Sequence, residues 1–406
     1  MATVASDLEQ YQPTEEGSLG AARFLDKMLG TLWDKGLTWR PTLDPKDLKH
    51  HAMRAEDRAP KEGCWEDRLD ILTQALDEEA KLSPLGRAIA HGQLVRKIRC
   101  RIRAEAQWAR NPAIRDRKVV APLIIVGQMR SGTTRLHRLL ARDPHFVHTR
   151  AYETMIPMPG GGRIDKRPVT ATANLLFLRT LNPLLAAVHP TGPYQAEEEF
   201  GLHAMSIFGA QYEGQWMVPS FARHCETCDR TGVYEEFKAV LQTLGAVRHE
   251  PEDKPWVLKA PQFTQDLEVL HEVFPDARYL FLHRDPVSVV GSSASLAWQQ
   301  ARVQSCSADR DAIGAEWLHK TKLRQDRQRA FRQAHPHVPA LDIRFDHVNE
   351  DWRREIGRVY DFIGRTLDPD VEAAMADFLA NSKAHKRHDY DIRDFGLDPQ
   401  DVASAF

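Results

Sequence analysis

The sequence predicts an α/β protein: a three-layer α/β/α fold of the P-loop type with a mostly parallel sheet, extended by N-terminal helices and interrupted by a helical insertion. Three observations carry this. Short apolar runs alternate with helix-compatible segments from about residue 119 onward, the pattern of βαβ units. A glycine-bracketed loop, VGQMRSGTT, directly follows the first of those runs. Ahead of it, within residues 21–110, apolar residues recur at helical spacing.

Taken in order, residues 1–20 are polar and read as a flexible terminus. Residues 21–118 form a helical extension built on AARFLDKMLGTLWDKG, CWEDRLDILTQALDEEAKL and PLGRAIAHGQLVRKIRCRIRAEAQWA, closed by the linker NPAIRDRK. The α/β domain spans 119–406. Its strands are expected at PLIIVG (122–127), WVLKAP (256–261), RYLFLH (278–283) and PALDIRF (339–345). The first, PLIIVG, is apolar on both faces, as a strand of a sheet covered by helices on both sides requires. Residues 160–250 read as mainly helical and form an insertion that shapes a pocket. Within it, the stripe Leu175, Leu176, Leu178, Leu181, Leu184 and Leu185 fits helix packing or the wall of an apolar tunnel.

Composition narrows the function classes. The chain has 406 residues, is 42% hydrophobic and 28% charged, and carries a net charge of -2. No global field draws it to nucleic acid or to anionic membrane. No run approaches the roughly 20 apolar residues of a membrane helix, and the acidic opening residues lack the apolar segment of a secretory signal. Five cysteines make no disulfide framework. HCETC (224–228) is a lone C-x-x-C without the second pair of a zinc site. A cytoplasmic protein without a resident metal is expected.

The loop carries the first chemical signal. Against the pattern G-x-x-x-x-G-K-[ST], Gly127 and Gly132 keep the glycine positions, but Thr133 stands where the lysine belongs and Thr134 follows it. Backbone amides from Ser131 to Thr134 open the next helix, where free N–H groups and the dipole favour an anion. Arg130 supplies a guanidinium, which grips phosphate oxygens in pairs. Such a loop suits a phosphate ester and lacks the lysine that handles β- and γ-phosphates in nucleotide hydrolysis. A second basic site follows the third run: Arg284 ends it, Asp285 is an N-cap, Pro286 fits the first helical position, and Ser288 and Ser292 share one helix face.

These motifs resemble those of sulfotransferases that use 3′-phosphoadenosine 5′-phosphosulfate (PAPS). GQMRSGTTRLHRLL is similar to the family's 5′-phosphosulfate loop, RDPVSVVGS to its 3′-phosphate site, and AHKRHDYDIRDFGL (384–397) to its closing motif. WVLKAPQFTQDLEVLHEVFPDARYLFLHRDP resembles the bacterial branch, itself similar to tyrosylprotein sulfotransferases. The likeness covers about residues 120–397. It implies transfer of a sulfuryl group to a hydroxyl or amine, with adenosine 3′,5′-bisphosphate (PAP) as the product and no metal. The same likeness gives the residues roles: Ser131, Gly132, Thr133 and Thr134 on the 5′-phosphate, Arg130 and Lys259 on the sulfuryl end and bridging oxygen. Arg284, Ser292, Lys386 and Arg387 fall on the 3′-phosphate. IRFDHVNEDW resembles the adenine-side segment, with Phe345 in place of a tyrosine, so that stacking survives without the hydroxyl.

The cytosolic branch carries its catalytic histidine two residues after the lysine of an LKAP-type segment, and here that position is Pro261. The tyrosylprotein branch uses a glutamate after the second strand, and Glu153 occupies a similar place. Glu198, Glu199 and His203, in PYQAEEEFGLH, are its rivals, ranked lower because a charge run is more often a solvated helix face. A small-molecule or lipid-like acceptor is expected. Two other functions compete: a P-loop kinase or NTPase, and a nucleotide-binding protein without chemistry.

Overall fold

A computed structural model describes residues 19–162, 164–184, 190–381 and 390–406. Five strands, β1 (Leu123–Val126), β2 (Val147–His148), β3 (Trp256–Lys259), β4 (Arg278–His283) and β5 (Ala340–Arg344), form one sheet in the order β2-β3-β1-β4-β5. Every pairing is parallel. Four of the strands are the apolar runs of the sequence. The fifth, β2, has two residues at the sheet edge, too few for any periodicity to register. The expected run 339–345 ends one residue early, because Phe345 already starts a short helix (Phe345–Glu350).

Alternation along the strands explains the layers. Ile124, Val126, Leu258, Tyr279 and Phe281 join one buried cluster, while Leu123, Ile125, Val257, Leu280 and Ile343 join another. The second is covered by α5 (Thr133–Leu140), through Leu136 and Leu139, and by helices near the C-terminus. The first continues without a break into the N-terminal helices α2 (Pro45–Glu56), α3 (Trp65–Glu78) and α4 (Pro84–Arg110), while α1 (Gly20–Asp34) packs through Ala22 in a separate small cluster with Leu85 and Leu181. Leu48, Trp65, Leu69 and Ile98 belong to the first cluster. The extension therefore folds against the sheet's own core.

Local chemistry starts these helices as the sequence suggests. Asp44 caps α2 by accepting from the amides of Lys46 and Asp47, and Ser83 caps α4 by accepting from Gly86, each followed by proline at the first position. From α4, the buried Lys97 ammonium donates to the carbonyls of Thr154 (3.1 Å) and Gly201 (2.9 Å). Burial pushes its pKa down to about 8. One cation thus ties the extension to two segments that flank the site. Residues 160–250 are largely helical, including α6's neighbour α7 (Arg167–Leu181), where α6 is Ala151–Met155. Of the leucine stripe on α7, Leu181 is buried, whereas Leu176 and Leu178 are exposed; Leu185 lies outside the described residues. No helix is long and apolar enough to cross a membrane among the described residues.

Candidate active site

The sheet order decides where a ligand sits. The chain leaves β1, runs to β2 and β3 on one side, then crosses to β4 and β5 on the other. Ligands of open α/β sheets bind at such a reversal, outside the carboxyl ends of the strands. The loop after β1, Lys259 at the end of β3 and Arg284 after β4 all lie there.

The loop is held in place by its carbonyls. Gly127 O accepts from Thr264 Oγ1 (3.1 Å), Met129 O from Ser293 Oγ (3.5 Å), and Arg130 O from an Arg284 guanidinium nitrogen. With these oxygens committed outside, the amides of Gly132, Thr133 and Thr134 make no backbone hydrogen bond among the described residues. Ser131 differs from the expectation: its amide donates to Gln128 O (3.2 Å), as does its hydroxyl (2.6 Å). Two residues take left-handed backbone, Arg130 (φ 67°) and Gly132 (φ 91°). At Gly132 a Cβ would stand 2.5 Å from Cδ2 of Phe345, so the ring lies directly on the loop. The guanidinium of Arg284 stacks on the same ring at 4.2 Å.

Arg130 Nε donates to Ser292 Oγ (3.0 Å), which links the first basic site to the second. Burial first, and the nearby Arg284 next, push the Arg130 pKa down. Two guanidiniums held this close, with no carboxylate salt-bridged to either among the described residues, form an anion site. Asp285 and Pro286 start the helix Pro286–Gln304 as predicted, and Ser288 spends its hydroxyl on Asp285 Oδ2 (2.6 Å). Tyr390 was not singled out by sequence. Its hydroxyl donates to Ser288 O (3.0 Å), and its ring occupies the space that a Cβ on Gly291 would enter, 2.6 Å away. Gly291, one residue before Ser292, was the available signal. Lys386 and Arg387 lie outside the described residues.

Lys259 is fully buried. Its ammonium donates to Thr134 Oγ1 (3.0 Å) and to a Glu198 carboxylate oxygen, which joins β3 to the first turn of α5. The acidic run is not a solvated face. Glu198 has a side chain only 13% exposed and faces Lys259. Glu199 is buried, accepts from the Lys259 amide (2.8 Å) and Thr149 Oγ1 (2.9 Å), and burial pushes its pKa up to about 8. Glu197 meets Thr191 and Arg138.

The other candidates sit differently. Both carboxylate oxygens of buried Glu153 are engaged, by the Arg150 amide (2.9 Å) and the Tyr152 hydroxyl (3.1 Å), with Arg248 at 3.5 Å. It serves the start of α6. His203 stacks on Phe237 at 4.5 Å, and neither ring nitrogen has a hydrogen-bond partner among the described residues. Burial lowers its pKa to about 3, which keeps it neutral. Pro261 opens a buried 3₁₀ turn, Pro261–Gln265.

A profile described as the sulfotransferase family matches residues 122–369, more than half of the chain. The chain belongs to the sulfotransferase family. The match starts at β1, reaches past β5 and so includes the loop, Lys259, Arg284 and Phe345. No curated protein matches the sequence. Among solved structures, sulfotransferase STF1 of Mycobacterium tuberculosis is similar over 89% of this chain and 97% of its own, with a TM-score of 0.78 at 25% identity. Sulfotransferase STF9 of Mycobacterium avium shares the fold over 89% of this chain and 94% of its own, with a TM-score of 0.75 at 21% identity. Both likenesses extend well beyond the 122–369 match, so this sulfotransferase shares its N-terminal helices' framework with them as well as its sheet. Membership in the family supports sulfuryl transfer as the activity.

Proposed function

We propose that this sulfotransferase uses PAPS as donor and moves its sulfuryl group to a hydroxyl or amine of a small-molecule or lipid-like acceptor. The observation that carries the reading is the pair of joined anion sites: the free amides of 132–134 with Lys259, and Arg130 with Ser292 and Arg284. PAPS has two separated anionic ends, and a single phosphate would leave one site uncompensated. The side chain of Phe345 offers a face for adenine beside Gly132. Tyr390, three residues after Arg387, supports a role for Lys386 and Arg387 at the 3′-phosphate.

In this reading Thr133 and Thr134 bind the 5′-phosphate, while Arg130 and Lys259 neutralise charge gathering on the bridging oxygen. The acceptor oxygen forms its bond to sulfur as the bond from sulfur to the bridging oxygen breaks, and the electron pair stays on PAP. Lys259, turning from Glu198 to that oxygen, frees the Glu198 carboxylate to take the acceptor proton. Among the four candidates for the base, this contact favours Glu198, whose partner is the cation of the site, whereas Glu153 and Glu199 spend both oxygens on structural donors and His203 is packed against Phe237. The absence of a histidine at 261 supports a likeness to the tyrosylprotein branch. The exposed Leu176, Phe177 and Leu178 of α7 support an apolar component in the acceptor.

The test is a screen of small alcohols, phenols and glycolipids with PAPS, read as PAP release, for the native protein, Glu198→Gln and Glu153→Gln. A positioned base is worth roughly 10²–10⁴-fold. The reading expects that loss in turnover for Glu198→Gln, with PAP binding retained. Release of phosphate from ATP and magnesium, with no use of PAPS, would contradict it.

A further inference from the structure

Away from the donor site, three histidines converge at the outer end of the sheet. His271 lies on the short helix Leu267–Val273, His335 ends the helix Arg310–Ala334, and His337 follows just ahead of β5. One nitrogen from each falls within 4.8 Å of the others. The rings of His271 and His335 stand 5.3 Å apart at 65°, and those of His335 and His337 6.1 Å apart at 63°. They meet edge to face instead of stacking. Glu268, one helical turn before His271, places a carboxylate oxygen 2.7 Å from His335 Nε2. Nδ1 of His271 is buried and has no hydrogen-bond partner among the described residues, an unmet desolvation cost.

We propose that His271, His335 and His337, with Glu268 as the carboxylate partner of His335, bind a Zn²⁺-type divalent transition metal that clamps this part of the fold. Imidazole nitrogens select zinc, copper or nickel, whereas magnesium and calcium take oxygen sets. Zinc holds nitrogens at about 2.0–2.1 Å, which asks the three to draw closer together around the ion. A carboxylate on the second nitrogen is the usual device for orienting a metal-bound histidine. The clamp joins the helix that follows the Lys259 turn to the helix end that leads into β5. It touches none of the residues assigned to the donor, so it concerns stability and not sulfuryl transfer.

The experiment uses the whole chain stripped of metal and titrated with Zn²⁺ alone, by calorimetry and thermal denaturation, with Co²⁺ absorption as a geometric check. One equivalent binding in the micromolar range or tighter, with a raised Tm, is expected. His337→Ala alters an exposed residue, leaves the fold intact and should weaken binding at least about tenfold, the scale of losing a metal partner. His271→Ala should do the same, and PAP binding should stay unchanged in both. No uptake at millimolar Zn²⁺ would overturn the proposal. So would one-equivalent binding that survives both substitutions, which would put the ion on the exposed thiols of Cys64 or Cys306.

Discussion

Replacing Lys259 by methionine separates what this residue does for the fold from what it does for the reaction. Lys259 is fully buried and its ammonium pairs with Glu198, which is 13% exposed. Removing one partner of a buried ion pair costs about 3–5 kcal/mol. Here Arg130 lies close enough to act on Glu198 electrostatically, and Glu198 keeps some contact with water, so about 2–3 kcal/mol is expected. At about 2.1 cal/mol/K per residue, unfolding entropy for a chain of this length is about 0.85 kcal/mol/K, and Tm falls about 2–4 °C. Turnover should fall far more, by about 10²–10³-fold, the value of a group that stabilises charge only in the transition state. The double variant Lys259→Met, Glu198→Gln removes the stranded carboxylate. It should regain Tm to within about a degree of the native protein, with turnover still down. PAP release and thermal denaturation on the four proteins complete the cycle. Turnover of Lys259→Met within about threefold of native would refute the reasoning, as would activity that returns with stability in the double variant.

Three further outcomes follow from the site. Arg284→Ala removes a cation that faces Arg130 and Phe345, and should cut the preference for 3′-phosphorylated over 3′-dephosphorylated nucleotide by about 10–100-fold in a binding titration. Gly132→Ala forces a side chain into left-handed backbone at about 1–2 kcal/mol and drives a Cβ into the Phe345 ring; PAP affinity should drop about tenfold or more, measured by calorimetry. Glu199 links stability to pH. Its folded pKa, raised by burial to about 8 from the ordinary 4.5, means the folded state holds a proton the unfolded chain releases between those values. Stability therefore falls as pH rises from 4.5 to 8 and levels off beyond. Glu199→Gln should flatten that slope in a Tm-against-pH series, and an unaltered slope would remove Glu199 as its source.

The sequence disclosed the parts of this fold whose signal is local. Runs such as LIIV and RYLFLH are apolar on both faces, so they announced a covered parallel sheet, and Asp285-Pro286 announced a helix start that is present. The loop was legible because its two glycines, its arginine and its threonines fall within eight residues. What stayed hidden depends on distance along the chain. Glu198 and Glu199 read as a charge run because nothing local shows that β3 brings Lys259 against them from sixty residues away. That Glu153 caps α6 stayed hidden because a cap is normally recognised by serine, threonine or aspartate at the helix start, and here the start is Arg150. Tyr390 was invisible because Gly291, far away in the sequence on the helix Pro286–Gln304, makes room for it. Helices α2 to α4 were legible as helices, but not as one continuous core with the sheet, since helical periodicity shows which face is buried and not what covers it.

The central claim is that one ligand with two separated anionic ends spans the loop and the Arg130–Ser292–Arg284 site. Calorimetric titration of the native protein with PAP and with adenosine 5′-phosphate, which lacks the 3′-phosphate, tests it most directly. Two charge-assisted contacts at the second site predict PAP binding at least about tenfold tighter, with the difference lost in Arg284→Ala. Equal affinities for the two nucleotides would contradict the account.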